Sequence, residues 1–383
     1  MSVLASMRAS PPVGARPDFT VGDRRFMALA LMLGRRGLGR TWPNPAVGAV
    51  IVKDGVMAGR GWTQPGGRPH AEIEALRRTG EAARGATLYV TLEPCSHHGK
   101  SPPCADAIVA AGVARVVSAL EDPNPKVAGQ GHARLRAAGI KVDIGIGADE
   151  ARRDHAGHIR RMREGRPQIT LKLAVSADGK AGGPGRRPLA ITGEAVRERV
   201  HLLRAHSDAI TVGIGTALAD DPVLTCRLPG MEKNSPVRIV LDSALRLPPS
   251  SRLVRSAREV PVWVVCGAEA SRAAEENLRA AGAVVLRTAE RQGRLDLAAT
   301  LKLVAGRGIS RLMVEGGPTL AAALLTADLI DDAVLFRSDK VVGGDGIDAL
   351  DGLPLTALTQ SPRLMAVHSE AIGPDICEVF SRR

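Results

Sequence analysis

Aromatic residues are scarce in this sequence of 383 residues, which contains four Phe, three Trp and one Tyr. Proteins that bind single-stranded nucleic acid usually stack the bases on aromatic side chains, so this scarcity argues against such a partner. No apolar run approaches the roughly 20 residues that a transmembrane helix needs. Residues 1–19 also lack the apolar segment of a secretory signal, and we expect them to form a flexible tail.

Cysteine is also infrequent, with five residues in the whole sequence. An odd number of cysteines in a chain of this length argues against a disulfide framework and favours a reducing, cytoplasmic environment. We expect Cys226, Cys266 and Cys377 to be buried thiols without a chemical role.

Charge is unbalanced towards the basic side, because 52 Lys and Arg residues exceed 40 Asp and Glu residues and give a net charge of +12. A basic protein suits an anionic partner, such as nucleic acid or a phosphorylated metabolite. The basic residues are scattered, apart from a concentration at Arg152–Arg166. Together with the few aromatic residues, this distribution favours a small phosphorylated ligand.

Short apolar runs alternate with segments of helical periodicity, which predicts two α/β domains with mainly parallel strands. A break at Gly165-Arg166-Pro167 predicts a first domain over residues 20–165 and a second over residues 166–383. The predicted helices are 24–38, 70–78, 105–111, 131–138, 194–205, 271–281, 295–305 and 318–326. The predicted strands are 46–52, 86–92, 115–120, 141–144, 169–173, 209–212, 238–241, 262–265, 284–286, 312–314 and 333–336. Asp54-Gly55, directly after the first of them, predicts a hairpin turn.

The first domain contains a pattern of metal ligands. His70 and Glu72 open a predicted helix, Cys95 follows a strand and Cys104 precedes a helix. One imidazole and two thiolates make three tetrahedral zinc ligands and leave a fourth position for water. Glu72 is then placed to move protons between water and substrate. This combination is typical of zinc-dependent base deaminases.

The spacing of the second cysteine leaves two ligand sets open. Deaminases usually contain Cys-x-x-Cys, but His98 stands three residues after Cys95 here. The ligands are therefore His70, Cys95 and Cys104, or His70, Cys95 and His98. We favour Cys104, because the dipole of the helix that follows it stabilises a thiolate.

Two further segments of this domain suit substrate binding. Asn44 stands between two prolines, which hold its amide rigidly for pairing with a polar heterocycle. His97, His98 and Lys100 lie between the two cysteines, and cationic groups there suit a phosphate on the substrate.

The second domain contains three segments in which a strand leads into a polar turn, at residues 171–180, 213–222 and 314–320. Gly316-Gly317 before a helix that begins with Pro318 is the best candidate for a phosphate cradle. Taken alone, a two-glycine turn favours a simple tight connection. The G-x-G-x-x-G pattern of a Rossmann dinucleotide site is missing.

These motifs together resemble a known family. His70-Ala71-Glu72, the run Glu93–Cys104 and the run Asp122–Gly131 resemble the deaminase half of the bifunctional deaminase–reductases of riboflavin biosynthesis. The three later segments, in this order, resemble the reductase half. The resemblance covers nearly all of residues 20–383, and the long spacing between the two cysteines is the family's own. It implies a cytidine-deaminase-like α/β/α domain that binds Zn²⁺, followed by a dihydrofolate-reductase-like α/β domain that uses NADPH.

The resemblance also implies roles for individual residues. Zinc would be bound by His70, Cys95 and Cys104, with Glu72 as the catalytic proton carrier. The substrate contacts would be Asn44, His97, Lys100 and Asn124 in the deaminase half, and Pro188, Arg204, Leu224, Arg227 and Glu315 in the reductase half. The cofactor contacts would be Ala174, Ala190, Thr216, Asp220 and the loop Gly317, Pro318, Thr319, Leu320, Ala321, Ala322 and Ala323. Ala190 stands where the family often has Trp, which removes a stacking surface worth about 1 kcal/mol.

The implied function is a bifunctional cytoplasmic enzyme. Its first half would hydrolytically deaminate a diaminopyrimidinone that carries a phosphoribosylamino group. Its second half would reduce the ribosyl group of the product to ribityl with NADPH. The partners would be phosphorylated pyrimidines and further copies of the chain, without nucleic acid or membrane. The alternatives are a nucleic-acid base deaminase with a basic accessory domain, and a deaminase fused to a non-catalytic nucleotide-binding sensor.

Overall fold

Strands and helices alternate along the chain, as the apolar runs predict. The computed structural model describes residues 18–97, 99, 102–125, 127–186 and 189–383; most of the predicted N-terminal tail lies outside them. The first half contains α1 (Val21–Arg35), β1 (Gly48–Lys53), β2 (Val56–Trp62), α2 (Ala71–Thr79), β3 (Thr87–Val90), α3 (Cys104–Ala110), β4 (Arg115–Ser118), α4 (Gln130–Ala137), β5 (Lys141–Ile144), α5 (Ala148–Asp154) and α6 (Ala156–Glu164).

The first sheet has five strands in the order β2-β1-β3-β4-β5. Strands β3, β4 and β5 are parallel, but β1 is antiparallel to both β2 and β3. The prediction of mainly parallel pairing is therefore wrong for this sheet. The cause is local: Asp54 and Gly55 have φ angles of 50° and 78° and form the predicted hairpin turn.

Helix α1 is joined to this sheet through the carboxylate of Asp23. Thr20 and Asp23 form a capping box at the start of the helix. The Tyr89 hydroxyl and Nη1 of Arg115 each donate a hydrogen bond of 2.7 Å to Asp23 Oδ1. Burial opposes ionisation of this carboxyl, but the bonds from Arg115, Tyr89 and Thr20 outweigh it and lower the pKa of Asp23 to about 2.

The second half is built on a larger sheet. Its elements are β6 (Gln168–Val175), β7 (Lys180–Gly182), α7 (Glu194–Ala205), β8 (Ala209–Gly213), α8 (Ile214–Asp220), β9 (Val237–Leu241), α9 (Arg252–Arg255), β10 (Val262–Cys266), α10 (Arg272–Ala280), β11 (Val284–Arg287), β12 (Glu290–Arg291), β13 (Arg294–Leu295), α11 (Leu297–Gly306), β14 (Arg311–Val314), α12 (Pro318–Thr326), β15 (Asp332–Arg337), β16 (Ile347–Asp348), α13 (Thr356–Thr359), β17 (Leu364–Ile372) and β18 (Asp375–Arg382).

The nine strands of the large sheet lie in the order β11-β10-β9-β8-β14-β6-β15-β18-β17. Pairing is parallel from β11 to β15 and antiparallel in the hairpin β17–β18, which the sequence did not predict. Neighbouring strand residues such as Ile239 and Val240 point into different apolar clusters, so both faces of the sheet are covered.

The basic stretch over residues 151–167 contributes to two helices, α5 and α6, which the sequence analysis did not predict. All five cysteines are free thiols, and Cys226, Cys266 and Cys377 are buried as expected. Among the residues that the structure describes, no helix combines the length and the apolarity needed to cross a bilayer.

Candidate active sites

The predicted zinc ligands come together in the first half of the chain. His70 is the residue directly before α2, Cys95 lies in the loop after β3, and Cys104 is the first residue of α3. The Nδ1 atom of His70 lies 3.3 Å from Cys104 Sγ and 3.6 Å from Cys95 Sγ. A tetrahedral zinc ion with ordinary bond lengths separates nitrogen and sulfur ligands by about 3.6 Å. The three donor atoms therefore fit one zinc ion.

The two sulfur atoms are close enough to influence each other. The backbone N–H of Cys104 donates to Cys95 Sγ at 3.3 Å. A hydrogen bond from the Cys104 thiol lowers the pKa of Cys95 to about 4, and the same contact raises the pKa of Cys104. Two thiolates whose sulfur atoms lie within 4.8 Å of each other need a cation between them, which a divalent metal supplies.

Glu72 lies beside these ligands and is almost completely buried, with 3% of its surface exposed. Burial raises the pKa of Glu72 to about 7. A carboxyl group with this environment can both accept and donate a proton near neutral pH.

Asn44 is fixed at the edge of this site. Its Nδ2 atom donates to the carbonyl oxygen of Gly67 at 2.8 Å and lies 3.4 Å from Nε2 of His70. The Thr41 hydroxyl donates to the carbonyl oxygen of Asn44 at 3.0 Å. The amide is held in place, as the sequence predicts, but one of its N–H groups is bonded to Gly67 rather than free for a heterocycle.

Glu93 connects the metal-binding turn to the loop that contains Asn124, a role that the sequence analysis missed. Its buried carboxylate accepts backbone N–H bonds of 3.1, 2.9 and 3.1 Å from Asp122, Gly129 and His132. The Asp122 carboxylate in turn accepts a bond of 2.8 Å from the backbone N–H of Asn124. A glutamate directly before Pro94-Cys95 was the available signal.

The remaining candidates of this half lie on the segment between the two cysteines. His97 is exposed there. His98, the alternative metal ligand, and Lys100 lie outside the described residues.

In the second half, the three predicted segments meet where the central strands β6, β8 and β14 of the large sheet end. Strand β14 pairs in parallel with both β6 and β8, so the carboxyl ends of these strands lie side by side. Ligands of open α/β sheets bind at such an edge. Ala174 lies near the end of β6, and the Thr216 hydroxyl accepts a bond of 3.0 Å from the backbone N–H of Gly317.

For one of these segments the prediction of a loop is wrong. Residues 317–323 do not form a loop, because Gly317 is the N-cap of α12 and the residues after it are helical. Ala321 and Ala322 are 0% and 7% exposed and belong to the apolar core. Their side chains point into that core, whereas the first N–H groups of the helix are the part suited to an anion.

Arg204 and Glu315 form an ion pair that alters the expected charge of this site. Nε and Nη2 of Arg204 donate to the two carboxylate oxygens of Glu315 at 2.6 and 2.9 Å. The positive charge of Arg204 is thus offset before any phosphate binds. Lys172 on β6 adds a third charged group, and burial lowers its pKa. The sequence analysis missed Lys172 because it lies within an otherwise apolar strand.

The other candidates of this half differ in their exposure. Leu224 is buried with a φ of 57°, whereas Arg227 and Asp220 are exposed. Ala190 is exposed, and its carbonyl oxygen accepts a bond of 2.9 Å from Lys340 Nζ. Pro188 lies outside the described residues.

Comparisons with known proteins identify both halves. The family model described as the cytidine and deoxycytidylate deaminase zinc-binding region matches residues 21–120. The model described as the RibD C-terminal domain matches residues 167–378. The riboflavin biosynthesis protein RibD of Escherichia coli K12 is 44% identical over 368 residues, which cover 93% of this chain and 98% of that protein.

Solved structures agree over the same length. RibD of Acinetobacter baumannii has a TM-score of 0.84 at 35% identity and covers 94% of this chain and 99% of its own. A Thermotoga maritima protein named as a diaminohydroxyphosphoribosylaminopyrimidine deaminase and 5-amino-6-(5-phosphoribosylamino)uracil reductase has a TM-score of 0.81 at 33% identity, covering 94% of this chain and 99% of its own. The chain therefore belongs to the RibD family of riboflavin biosynthesis, and it carries a zinc-dependent deaminase domain followed by a reductase domain.

Proposed function

We propose that residues 20–165 deaminate diaminohydroxyphosphoribosylaminopyrimidine and that residues 166–383 reduce 5-amino-6-(5-phosphoribosylamino)uracil. These are the two activities in the name of the Thermotoga maritima relative. The observation that carries the first activity is the spacing of His70 Nδ1 from Cys104 Sγ and Cys95 Sγ, beside the buried carboxyl of Glu72.

In the first reaction the residues of the chain bind the pyrimidine and move protons. Zinc, when bound by His70, Cys95 and Cys104, supplies the Lewis acidity that makes water a nucleophile near neutral pH. Glu72 would carry one proton of the attacking water to the ring nitrogen and then the second proton, from the newly added hydroxyl, to the departing amine, which leaves as ammonia. The amides of Asn44 and Asn124 orient the heterocycle.

The phosphate of the pyrimidine substrate needs cationic partners. His97 and Lys100, on the segment between the two cysteines, would bind it.

In the second reaction the residues of the chain hold the cofactor and the substrate next to each other in the orientation that hydride transfer needs. NADPH, when bound, supplies the hydride that reduces the ribosyl group to ribityl. Its contacts would come from Ala174, Thr216, Asp220, Ala190 and the first turn of α12 after Gly317, whose free N–H groups would face a phosphate. Arg227 would bind the sugar phosphate, and the Arg204–Glu315 pair, with Leu224 and Pro188, would contact the rest of the phosphoribosyl substrate. Such a reaction needs a dry, well-aligned site and no protein nucleophile.

The partners we propose are phosphorylated pyrimidines, with neither nucleic acid nor a membrane. Eight aromatic residues, four Phe, three Trp and one Tyr, offer little for base stacking. Five free thiols suit a reducing cytoplasm. We also propose that the enzyme acts as a homo-oligomer, which sedimentation of the purified chain would test.

The test follows both reactions with the full-length chain. Ammonia release measures deamination, and loss of NADPH absorbance after addition of the deaminated product measures reduction. Glu72→Gln should lower deaminase kcat about a thousandfold and leave zinc content and reductase kcat unchanged. Salt-dependent RNA binding with RNA deamination would favour a nucleic-acid deaminase, and a lack of NADPH oxidation would favour a non-catalytic sensor.

A further inference from the structure

Helix α6 lies between the two domains and contacts both of them. His155, directly before it, and His158 and Arg161 within it are spaced three residues apart, so they share one face of the helix. Each of the three contacts a segment near the deaminase site. None of them is a candidate ligand or substrate contact.

His158 contacts the turn that carries Asn124, and His155 contacts the residue directly after strand β3. His158 Nε2 lies 3.0 Å from Asp122 Oδ1, the same oxygen that accepts the backbone N–H of Asn124. His155 Nε2 lies 3.1 Å from the hydroxyl of Thr91, at the end of β3. Both imidazoles are buried. The turn that presents Asn124 is therefore held from α6.

Arg161 contacts the other substrate segment. Its Nη1 atom donates to the carbonyl oxygen of Pro43 at 2.7 Å, directly before Asn44 in the chain. Its Nε atom donates to the carbonyl oxygen of Ala305, in α11 of the reductase domain, at 3.0 Å. One guanidinium thus connects the Asn44 segment to the reductase domain.

The reductase domain holds α6 and the Asn44 segment by further contacts. Arg160 Nε lies 3.1 Å from a carboxylate oxygen of Asp331. A Cβ atom on Gly157 would lie 2.6 Å from the carbonyl oxygen of Ser310, so the helix backbone is packed tightly against that domain.

Two aromatic rings meet in the same region. Trp42, two residues before Asn44, packs edge-on against Trp263 with ring centroids 6.3 Å apart. The Asn44 segment therefore rests on the reductase domain through a ring contact as well as through Arg161.

We propose that α6 is a positioning element for the deaminase reaction, through which the reductase domain sets the placement of Asn44 and Asn124. The proposal rests on the proposed function, because it takes these two amides as substrate contacts. Arg161 acts through Pro43 and His158 acts through Asp122, so both are positioning residues. The consequence is that changes confined to the reductase side of this contact alter substrate affinity at the deaminase site.

Arg161→Ala tests the helix directly in the full-length chain. We expect deaminase KM to rise about tenfold, as for loss of one charge-assisted hydrogen bond, with kcat changed less than twofold. Zinc content and reductase kcat/KM should stay the same. Arg161→Lys keeps the charge and can reach one of the two carbonyl oxygens, so its KM should lie between the values of the wild type and of Arg161→Ala. Arg163→Ala, an exposed position on the same helix, is the matched control and should behave as wild type.

A second variant changes only the reductase domain. A Cβ atom on Gly308 would lie 2.7 Å from Cβ of Pro43. Gly308→Ala should therefore raise deaminase KM. Gly293→Ala is the control, because both glycines have positive φ angles, 102° and 71°, but a Cβ on Gly293 meets nothing within 4 Å.

Asn44→Ala separates this proposal from the function on which it rests. If Asn44→Ala raises KM but Arg161→Ala matches Arg163→Ala, the positioning role is refuted and the substrate role of Asn44 stands. If Asn44→Ala leaves KM unchanged, the substrate role of Asn44 is refuted, and the positioning proposal with it. Equal losses of deaminase and reductase activity in Arg161→Ala, with a lower Tm, would show a purely structural residue and also overturn the proposal.

Discussion

Replacing Asp23 by Asn should destabilise the deaminase domain. The expected loss of free energy of unfolding follows from the shift in the pKa of Asp23 on folding. Asn resembles the neutral carboxyl group, so the variant loses what the charged form gains from Arg115 and Tyr89. The pKa of Asp23 falls from its ordinary value of 3.8 to about 2 in the folded chain. At 1.36 kcal/mol for each pKa unit, the folded state loses about 2 kcal/mol at pH 7. Only 1% of Asp23 is exposed, so solvent screens little of this.

Hydrogen exchange in the full-length chain measures this loss locally. Amides of α1 should exchange up to about thirtyfold faster in Asp23→Asn at pH 7, the rate change that corresponds to about 2 kcal/mol. Asp149→Asn is the control, because Asp149 forms an exposed pair with Arg152 on α5 and should change exchange little.

The pH dependence gives the sign of the effect. Because the pKa of Asp23 is lowered on folding, its stabilisation is fully present above about pH 4 and is lost as the pH falls through about 2. About 1 kcal/mol should remain at pH 3. An exchange difference that is absent at pH 7, or that grows as the pH falls from 4 to 2, would refute the assignment of this carboxylate as ionised and hydrogen-bonded.

Three further predictions concern the two sites. Gly67→Ala should raise deaminase KM about tenfold, because the new Cβ would lie 2.7 Å from Asn44 Nδ2. Gly66→Ala is the control, because Gly66 has a similar φ but a Cβ there meets nothing within 4 Å. Equal KM values for the two variants would contradict this prediction. Removing zinc with a chelator should abolish ammonia release but leave NADPH oxidation intact, and loss of both would contradict separate sites. Glu315→Gln should lower the free energy of unfolding of the reductase domain by about 3 kcal/mol, because the buried charge of Arg204 loses the carboxylate that pairs with it. Urea titrations measure this change, and an unchanged urea midpoint would contradict the prediction.

Local sequence patterns predicted much of the fold. The helices predicted over 194–205 and 318–326 match α7 and α12, and the strand predicted over 141–144 matches β5. The hairpin β17–β18 was missed because β17 is an edge strand whose side chains are mostly exposed, so it lacks an apolar alternation. Helix α6 was missed because polar contacts with two domains, such as those of Arg161, hold it, and a short basic segment carries no signal of them.

The metal site could be predicted because its chemistry is confined to residue types that are rare and distinctive. His70, Cys95 and Cys104 stand at element ends, and the ends of neighbouring elements meet in an α/β fold. The Arg204–Glu315 pair could not be predicted, since its members are 111 positions apart and Arg204 lies in a helix without a motif of its own. The burial of Ala321 and Ala322 likewise depends on the packing of α12 against the sheet.

X-ray absorption at the zinc edge of the full-length protein tests the central assignment most directly. With His70, Cys95 and Cys104 as ligands, the first shell should contain two sulfur atoms at about 2.3 Å and two nitrogen or oxygen atoms at about 2.0–2.1 Å. Cys104→Ser should reduce the sulfur count to one. A wild-type shell with a single sulfur, unchanged in Cys104→Ser, would contradict the assignment and favour His98 as the third ligand.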